Sequence, residues 1–392
     1  VTVCGTGNEG HVFAAYAAKH SNGMIRMFKI HHINDTIREG NNISIVARHR
    51  TSSSVVEGHC ISLYYEAKKA ITDADMVILA VPATALQLYL EDIAPYLKSG
   101  ALLGINAQAA SAPWITRSVL AAMYDTVTVF YLLDVPWACR VIDPGRTVDV
   151  LGTKAVIDVV LQVFSGIFSH TTVSETGQQR TLPVLQLARS ALPMALTISA
   201  VLHTGITYGH FCEWDGTTVY PTVPLFYHGV DESTVAVLEE LEREGMAIVR
   251  EISNRYPDKI NVDTDGLSLH SWLKRAYDSD ITDTSSLLSC LLTNAAYDGL
   301  AHPMVGSELS GYIPDISSRY WTEDLPCHLI LAKGVASLLG NVETPGMDRV
   351  IAWMQRCNDS EYIIYNKLSG NDMCRSCAPQ RYGLGLSELL SI

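Results

Sequence analysis

The chain has 392 residues, of which 48% are hydrophobic and 18% are charged, so it exceeds one ordinary hydrophobic core and we expect two domains. Acidic residues outnumber basic ones 41 to 28, and this net charge of -13 argues against a nucleic-acid-binding protein and against docking on anionic lipid. No apolar run reaches the roughly 18–20 residues that span a bilayer, and the sequence does not open on the basic and then apolar stretch of a signal peptide.

The first half of the chain alternates strand and helix patterns. Short apolar or β-branched runs predict strands, and an alanine-rich run predicts a helix. The strands are expected at 1–4, 24–30, 76–81, 102–105 and 127–132, and the helix at 11–19. The run 76–81 is apolar throughout, which is typical of a strand buried on both faces of a parallel sheet. We therefore predict that residues 1–190 form an α/β domain with a doubly wound sheet of the Rossmann type.

The pattern changes after about residue 190, where strand signals become scarce. Near residue 245, apolar residues fall on one face of a predicted helix and glutamates fall on the opposite face. They are Leu238, Leu241, Ile248 and Ile252 on one side and Glu239, Glu240, Glu242 and Glu244 on the other. The stretch 188–207 is mostly apolar and helical, with an interruption near Pro193. Residues 191–392 are therefore predicted to form a mainly α-helical second domain.

A glycine pattern, Gly5-x-Gly7-x-x-Gly10, follows the first strand and opens the first helix. In that context it matches the dinucleotide-binding fingerprint. Gly5 permits a tight turn, Gly7 lets the backbone approach a pyrophosphate at the helix N-terminus, and Gly10 lets helix and strand pack closely. The alternative is a turn that binds no ligand. We predict a dinucleotide site here, with Asn8 among its residues.

Two further places bear on the cofactor, and they leave NADH and NADPH open. Asp35 is the nearest acid that could hold the ribose hydroxyls, although it falls a little late, whereas Lys29 or the neighbouring histidines could accept a 2′-phosphate. After the buried strand, small residues that include Val81 and Pro82 would let a cofactor cross the strand ends. A simple strand end is an equally good interpretation of these two residues.

Three residues of the second half could supply acid–base and anion-binding chemistry. His203 lies in an apolar helical stretch, where a lone histidine is more often a core residue, and Arg319 and Asp324 lie in a run typical of a solvated turn. A paired carboxylate would fix the tautomer of an imidazole and stabilise its charged form, so that it could exchange protons near neutral pH. A guanidinium could clamp a substrate carboxylate in bidentate fashion. Spacing alone does not pair these residues.

Short motifs occur in one order along nearly the whole chain. They are Gly5-x-Gly7-Asn8, Val135-Pro136-Trp137-Ala138-Cys139-Arg140, Val150-Leu151-Gly152-Thr153-Lys154, Trp214-Asp215-Gly216, Pro224-Leu225-Phe226-Tyr227, Gly299-Leu300-Ala301-His302-Pro303, Arg319-Tyr320-Trp321-Thr322-Glu323-Asp324 and Pro379-Gln380-Arg381-Tyr382-Gly383. Together, this set resembles the opine dehydrogenases of the octopine-dehydrogenase type found in marine invertebrates.

The resemblance implies a reaction and roles for the three residues. Pyruvate and an amino acid would form an imine, which NADH would reduce to a secondary amine. His203 would be the catalytic acid or base, Asp324 its orienting partner, and Arg319 the group that binds a carboxylate at the domain cleft. The resemblance also favours NADH over NADPH, a monomer, and a cytosolic enzyme that regenerates NAD when oxygen is short.

The resemblance further assigns residues to the substrate pocket. Gln108 and Cys139 match positions that line the keto-acid pocket of the family, and Trp272 falls in the region that approaches the amino acid. Core packing is the alternative for Cys139 and for Trp272. These three assignments follow from the motifs and not from spacing or periodicity.

One site departs from the octopine enzymes. Where those carry Glu-Thr, this chain has Leu133-Asp134, so a natural partner of an arginine guanidinium is lost. Asp134 near a carboxylate-binding pocket should repel a second anion unless it is paired or faces the amine. We therefore predict a small amine donor, such as alanine, glycine, β-alanine or taurine, in preference to arginine.

Two other functions stay open on the sequence. The chain could be another two-domain NAD(P)-dependent dehydrogenase that acts on a hydroxy acid or a sugar-phosphate, or it could be a non-catalytic dinucleotide sensor. Its nine cysteines are scattered, which suits reduced thiols in the cytoplasm. The one close pair, Cys374-x-x-Cys377, is weak evidence for zinc or redox work, and we predict no metal site.

Overall fold

The computed structural model describes residues 1–30, 39–50, 54–106, 110–161, 183–188, 190–260 and 264–390. The chain divides into two compact units. Unit 1 comprises Val1–Gln108, Ala112–Arg189 and Ala276–Asp278, and unit 2 comprises Ala109–Ser111, Ser190–Arg275 and Ser279–Ile392. Among the described residues, no helix is both long enough and apolar enough to cross a membrane.

Unit 1 is built on one 11-stranded sheet. The strands are β1 (Thr2–Cys4), β2 (Ile25–Phe28), β3 (Asn42–His49), β4 (Val55–Tyr64), β5 (Met76–Leu79), β6 (Leu102–Ile105), β7 (Thr128–Leu132), β8 (Trp137–Asp143), β9 (Thr147–Thr153), β10 (Val156–Leu161) and β11 (Val184–Leu187). The α-helices between them are α1 (Asn8–His20), α2 (Ala67–Ile71), α3 (Leu86–Ile93) and α4 (Ala112–Leu120). The strand order is β11-β10-β7-β6-β5-β1-β2-β4-β3-β9-β8.

The middle of the sheet is its doubly wound part. Strands β4, β2, β1, β5, β6 and β7 are neighbours in that order, and every pair among them is parallel. From β1 the chain winds first toward β2 and later, on the other side, through β5, β6 and β7. This reversal is a topological switch point, where open α/β sheets bind ligands at the carboxyl ends of the strands. The predicted Rossmann-type fold of the first half is confirmed.

Most of the strands of this sheet that were not predicted lie outside its parallel part, and β4 forms one edge of that part. Strand β3 pairs antiparallel with β4, and β8 pairs antiparallel with β9. Strand β4 alternates buried and exposed residues over much of its length, with polar side chains such as Glu57 and His59 on the exposed positions. Such half-buried strands lack the continuous apolar run of a parallel core strand. For this reason the search for apolar runs missed them.

Unit 2 is mainly helical, as predicted. Its α-helices are α5 (Leu192–Met194), α6 (Leu202–Phe211), α7 (Glu232–Arg255), α8 (Leu269–Tyr277, ending in unit 1), α9 (Leu287–Thr293), α10 (Ile330–Leu339), α11 (Pro345–Cys357) and α12 (Leu386–Leu389). Two segments, Ala195–Ser199 and Tyr320–Leu329, are π-helical. Two hairpins pair β12 (Met304–Ser307) with β13 (Gly311–Pro314) and β14 (Ile363–Ile364) with β15 (Lys367–Leu368).

The long helix α7 shows the predicted apolar face, but one glutamate of the opposite face is not in solvent. The four apolar residues expected on one face are fully buried. Glu244 is buried as well, because its two carboxylate oxygens accept hydrogen bonds from the backbone N–H groups of Gly346 (2.6 Å) and Met347 (2.8 Å). These groups lie in the first turn of α11, where a helix leaves N–H groups unpaired and favours a negative charge.

The expectation that all the cysteines are reduced thiols is wrong for one pair. Cys327 and Cys377 form a disulfide, with Cα atoms 4.5 Å apart and a sequence separation of 50. Cys377 is thus not bonded to Cys374, its neighbour in the C-x-x-C pattern, and Cys374 is a free, exposed thiol. Next to the disulfide, the N–H of Cys377 donates to the carbonyl of Pro326 (2.9 Å), so the C-terminal segment lies against the second π-helical segment.

Candidate active site

The glycine turn of unit 1 has the geometry of a dinucleotide site. Gly5 has a φ of +108°, and a Cβ there would lie 2.2 Å from the carbonyl oxygen of Ala80, at the end of β5. A Cβ on Gly10 would lie 2.1 Å from the carbonyl oxygen of Gly5. Only glycine fits these two positions, because one requires a left-handed backbone and both allow no side chain. The turn therefore brings β1, α1 and the end of β5 together.

The N-terminus of α1 is open at the position that a pyrophosphate would take. A Cβ built on Gly7 meets no atom within 4 Å, and no side chain caps the helix there. The first N–H groups of a helix have no partner within it and carry a partial positive charge, so they bind phosphate. These residues, at the switch point of the sheet, fit the diphosphate of a dinucleotide.

The other residues predicted for the cofactor site differ in burial and in the contacts that they make. The side-chain oxygen of Asn8 accepts a hydrogen bond from the N–H of Val141 (2.8 Å), so it fastens α1 to β8, and the cofactor role of Asn8 stays a prediction. Val81 lies beside Gly5 and is buried, and Pro82 is exposed at the end of β5. Asp35 lies outside the described residues, as does Gln108 of the predicted substrate pocket.

Cys139 and Trp272, both predicted to line the substrate pocket, are buried residues. Cys139 is 2% exposed and packs in the core beneath α1, where its thiol donates to a carboxylate oxygen of Glu9 (3.3 Å). Trp272 is 5% exposed on α8. Both placements match the core-packing alternative that was weighed for these residues, and their substrate roles stay predictions.

Asp134 is part of a buried ion pair. Its Oδ1 atom contacts the ammonium of Lys154 and also accepts a hydrogen bond from the N–H of Val135 (2.8 Å). The side chains of Asp134 and Lys154 are 4% and 3% exposed. Since Lys154 compensates the charge, the repulsion of a second anion that an unpaired Asp134 would cause does not arise here.

In unit 2, the helix that carries His203 is fixed by close packing. His203 is the second residue of α6, which follows the first π-helical segment. Gly205 and Gly209 lie one turn apart on α6 and face α7, where a Cβ on either would lie 2.6 Å from side-chain atoms of Leu238 or Thr234. The absence of these side chains lets the two helices approach closely. His203 thus stands on a rigid support.

The structure brings His203 and Asp324 together across 121 residues of sequence. The Nδ1 atom of His203 lies 3.0 Å from Oδ2 of Asp324. The carboxylate is 2% exposed, whereas the imidazole is 20% exposed. Burial alone would raise the pKa of Asp324, but its interactions with His203, Arg319 and His328 hold this pKa well below its ordinary value. Asp324 is therefore ionised, and Nδ1 of His203 carries a hydrogen that it donates.

Arg319 adds a cation to this cluster. Its Nε lies 3.3 Å from Oε2 of Glu323, and one terminal nitrogen lies 3.9 Å from Oδ1 of Asp324. Burial lowers the pKa of Arg319, but the carboxylates of Glu323 and Asp324 outweigh it and raise this pKa above its ordinary value. The side chain is 48% exposed. A permanently charged and half-exposed guanidinium beside an imidazole suits the binding of a substrate carboxylate.

Two side chains that the sequence did not single out also contact the pair. The hydroxyl of Tyr227 lies 3.0 Å from Nε2 of His203, so both imidazole nitrogens have partners. Nε2 of His328 lies 3.5 Å from Oδ1 of Asp324, one helical turn along the same segment. Tyr227 belongs to the Pro224-Leu225-Phe226-Tyr227 motif, which was quoted only for the resemblance. His328 carries no signal in the sequence apart from its i,i+4 spacing to Asp324.

Aromatic rings surround the imidazole. The ring centroid of His203 lies 4.9 Å from that of Tyr320 and 5.6 Å from that of Phe226. Phe226 and Tyr320 stack on each other at 4.5 Å. The backbone around Phe226 is fixed by two hydrogen bonds, one from the N–H of Phe226 to the carbonyl of Leu300 (2.7 Å) and one from the N–H of His302 to the carbonyl of Pro224 (2.9 Å). The cluster thus holds an oriented and partly exposed imidazole, with the charged guanidinium of Arg319 close to its aspartate partner.

Comparison with known proteins identifies relatives of one family that match this chain over nearly its whole length. A family model described as the alpha-helical domain of NAD/NADP octopine/nopaline dehydrogenase matches residues 187–358. The chain is 32% identical to opine dehydrogenase of Haliotis discus hannai, with 100% of this chain and 98% of the relative covered. It is 30% identical to tauropine dehydrogenase of Arabella iricolor, with 98% and 97% covered.

Solved structures of octopine dehydrogenase agree with this result. The structure with NADH and L-arginine matches with a TM-score of 0.81 at 30% identity, and covers 100% of this chain and 97% of the other. The structure with NADH and pyruvate matches with a TM-score of 0.80 at 29% identity and the same coverage. The predicted resemblance is confirmed, and the chain belongs to the opine dehydrogenase family of NAD-dependent oxidoreductases that act on a CH–NH group.

Proposed function

We propose that this enzyme condenses pyruvate with an amino acid and reduces the imine with NADH to give an opine, and that it thereby regenerates NAD when oxygen is short. The observation that carries the proposal is the His203–Asp324 pair at 3.0 Å, with the half-exposed Arg319 guanidinium beside it. The relatives act on opines, and an octopine dehydrogenase of the same fold is solved with NADH and with pyruvate.

Residues 1–190, most of which belong to unit 1, would form the dinucleotide-binding domain and hold the cofactor. Its diphosphate would lie on the N–H groups at the start of α1, which the glycines at positions 5, 7 and 10 leave accessible, with Val81 and Pro82 at the neighbouring strand end. Bound NADH supplies the hydride that reduces the imine. Residues 191–392 would be the substrate domain, in which this chain's own side chains do the rest.

The acid–base steps would fall to His203. The amino acid must attack as its free base, so the neutral imidazole takes a proton from the substrate ammonium and returns it when the carbinolamine loses water. The charged imidazole that forms between these steps is stabilised by the buried carboxylate of Asp324. Arg319 would hold the pyruvate carboxylate in one orientation, because a guanidinium stays charged throughout.

The amine donor is proposed to be small, with alanine, glycine, β-alanine or taurine preferred over arginine. Leu133, which stands where the octopine enzymes carry an acid, is buried and apolar. The adjacent acid, Asp134, is held by Lys154 and so is already engaged. No carboxylate at these two positions is thus offered to the guanidinium of a bound arginine. This reason replaces the anion repulsion that we expected from the sequence.

The decisive experiment is NADH consumption with pyruvate across a panel of amine donors. We expect turnover only when both pyruvate and an amine are present, and faster turnover with a small donor than with arginine. The best rate with arginine would refute the donor assignment. Consumption with pyruvate alone would favour a hydroxy-acid dehydrogenase, and NADH binding without any turnover would favour a dinucleotide sensor.

We also propose that the enzyme is a cytoplasmic monomer. The seven cysteines other than Cys327 and Cys377 are free thiols, which suits a reducing compartment. The one disulfide is closed between buried residues, and buried structural disulfides resist reduction by the glutathione pool. Size-exclusion chromatography with light scattering would test the oligomeric state.

A further inference from the structure

The second contact of the catalytic imidazole has a fixed direction. Asp324 is ionised and can only accept, so the hydrogen of a neutral His203 sits on Nδ1. Nε2 of the neutral ring then has only a lone pair, and the hydroxyl of Tyr227, 3.0 Å away, must be the donor. The atom of His203 that would face a substrate in a histidine–aspartate pair therefore faces a phenol.

Tyr227 is held rigidly in this place. Its ring stacks on that of Tyr297 with centroids 3.7 Å apart and an angle of 11°, and it meets Phe226 edge-on at 4.8 Å. The residue is 8% exposed, and its carbonyl accepts a hydrogen bond from the N–H of Val230 (3.3 Å). A side chain fixed on both faces cannot swing away to free Nε2 without repacking the loop.

The surroundings also suit a transient charge on the phenol oxygen. The guanidinium of Arg319 interacts electrostatically with Tyr227 and with Tyr320. A cation beside a phenol lowers the cost of moving its proton. If instead the hydroxyl only filled space, it would leave Nε2 of His203 blocked toward any substrate.

We propose that Tyr227 is a further catalytic residue, which passes the proton between Nε2 of His203 and the oxygen of the carbinolamine. This inference rests on the proposed condensation of pyruvate with an amine. As the C–O bond of the carbinolamine breaks, its electron pair stays on oxygen, and the nitrogen lone pair forms the C=N bond. The departing oxygen takes the Tyr227 proton and leaves as water. Tyr227 is restored by the proton on Nε2, and the imidazole becomes neutral.

The charge balances in this step. A charged imidazole and a neutral carbinolamine become a neutral imidazole, a cationic imine and water. The proton on Nε2 is the one that the substrate ammonium gave up earlier, and Tyr227 can carry it in that direction too, since its hydroxyl donates and accepts in turn. The chain Asp324–His203–Tyr227 is then a proton relay that ends on the phenol oxygen.

The test is Tyr227→Phe in the full-length enzyme, assayed with pyruvate and the best donor of the panel. We expect kcat to fall roughly 10- to 100-fold, in the range of lost general acid catalysis, with NADH affinity and the KM of pyruvate little changed. Tyr362→Phe is the matched control, because it removes the hydroxyl of another buried tyrosine of unit 2 and should keep the parental kcat. A kcat for Tyr227→Phe within twofold of the parental value, or above it, would overturn the proposal.

A second variant guards against misfolding and separates this proposal from the reaction itself. With 3-fluorotyrosine at position 227, the ring keeps its shape and the phenol becomes more acidic, so the pH profile of kcat should shift. A purely structural hydroxyl would leave that profile in place, and the relay would be wrong. If His203→Ala keeps full turnover in the same assay, the proposed function fails. If only His203→Ala loses turnover, that function stands and Tyr227 has no part in it.

Discussion

Each unit contains one pair of oppositely charged or chargeable side chains that includes a residue predicted for substrate chemistry, and the two pairs differ in access to solvent. Asp134 and Lys154 of unit 1 are both sealed, with side chains 4% and 3% exposed. In the pair of unit 2, Asp324 is 2% exposed but His203 is 20% exposed. Both acids are buried to the same degree, so the burial of the acid does not separate the pairs. The partner does.

This difference separates a structural role from a chemical one. When both partners are buried and paired with each other, as Asp134 and Lys154 are, we expect the pair mainly to stabilise the fold, and the substrate role predicted for Asp134 stays a prediction. When one partner is accessible, the buried acid orients it and stabilises its charged form while the accessible ring does chemistry. An acidic residue that is close in sequence to a predicted pocket cannot be given a chemical role until the exposure of its partner is known.

The largest effect on stability is expected from breaking the sealed pair. Lys154→Met leaves Asp134 as a buried and uncompensated carboxylate, and the free energy of unfolding should fall by about 3–5 kcal/mol. Urea unfolding measures it. In the double variant Lys154→Met/Asp134→Leu no charge is buried, and most of the loss should be recovered. An unchanged stability of the single variant would show that the pair is open to water.

A smaller loss is expected when the disulfide near the accessible pair is removed. Cys327→Ala/Cys377→Ala frees the segment that carries Asp324, and should lower the free energy of unfolding by about 2–4 kcal/mol, as for other disulfides that close long loops. Cys374→Ser, which removes an exposed thiol, is the control and should change it by less than about 0.5 kcal/mol. Equal stability of all three proteins under oxidising conditions would contradict the cross-link.

A third prediction concerns a buried imidazole that, unlike His203, is closed to solvent. His302 is 4% exposed and lies with Nε2 2.6 Å from Nδ1 of His210. Burial, and then the neighbouring histidines, lower the pKa of His302 to about 2. Below its ordinary pKa the unfolded chain binds a proton that the folded chain refuses, so the contribution of His302 to stability is lost as pH falls from about 6.5.

The measurement is the free energy of unfolding between about pH 6 and pH 4. His302→Gln removes the titrating group but can still hydrogen-bond to His210, and the fall in stability with acid should become shallower by up to about 1.4 kcal/mol per pH unit. His59→Gln, at an exposed histidine, is the control and should keep the parental slope. A parental slope in His302→Gln would mean that the imidazole titrates freely in the folded protein.

The parallel part of the fold could be predicted from the sequence, because strands buried on both faces leave continuous apolar runs. The five neighbouring strands β2, β1, β5, β6 and β7 were expected within one or two residues of their observed bounds. Strands β3, β4, β8 and β9 were missed, since their pairing is set by long-range partners and polar residues interrupt their apolar pattern, and β10 and β11 were missed as well. The disulfide between Cys327 and Cys377 was missed because it also joins residues far apart in sequence, and no local pattern indicates such a pairing.

For the site, residue type and family resemblance pointed to His203, Arg319 and Asp324, but spacing could not pair residues 121 positions apart. The contact of Tyr227 with His203 could not be predicted, because the sequence does not show whether the hydroxyl of a loop tyrosine meets an imidazole or water. Lys154 belongs to one of the motifs of the resemblance, but only the structure shows that it forms an ion pair with Asp134. The partner of a buried charged group is determined by the tertiary structure, and the exposure of that partner indicates whether the pair has a structural or a chemical role.

The central claim is that His203 does chemistry and does not support the fold. His203→Ala, assayed with pyruvate and the best amine donor, tests it most directly when NADH affinity and turnover are measured on one preparation. We expect NADH affinity near the parental value and turnover lower by roughly 100-fold or more. Turnover close to the parental value, or a loss of NADH affinity as large as the loss of turnover, would contradict the claim.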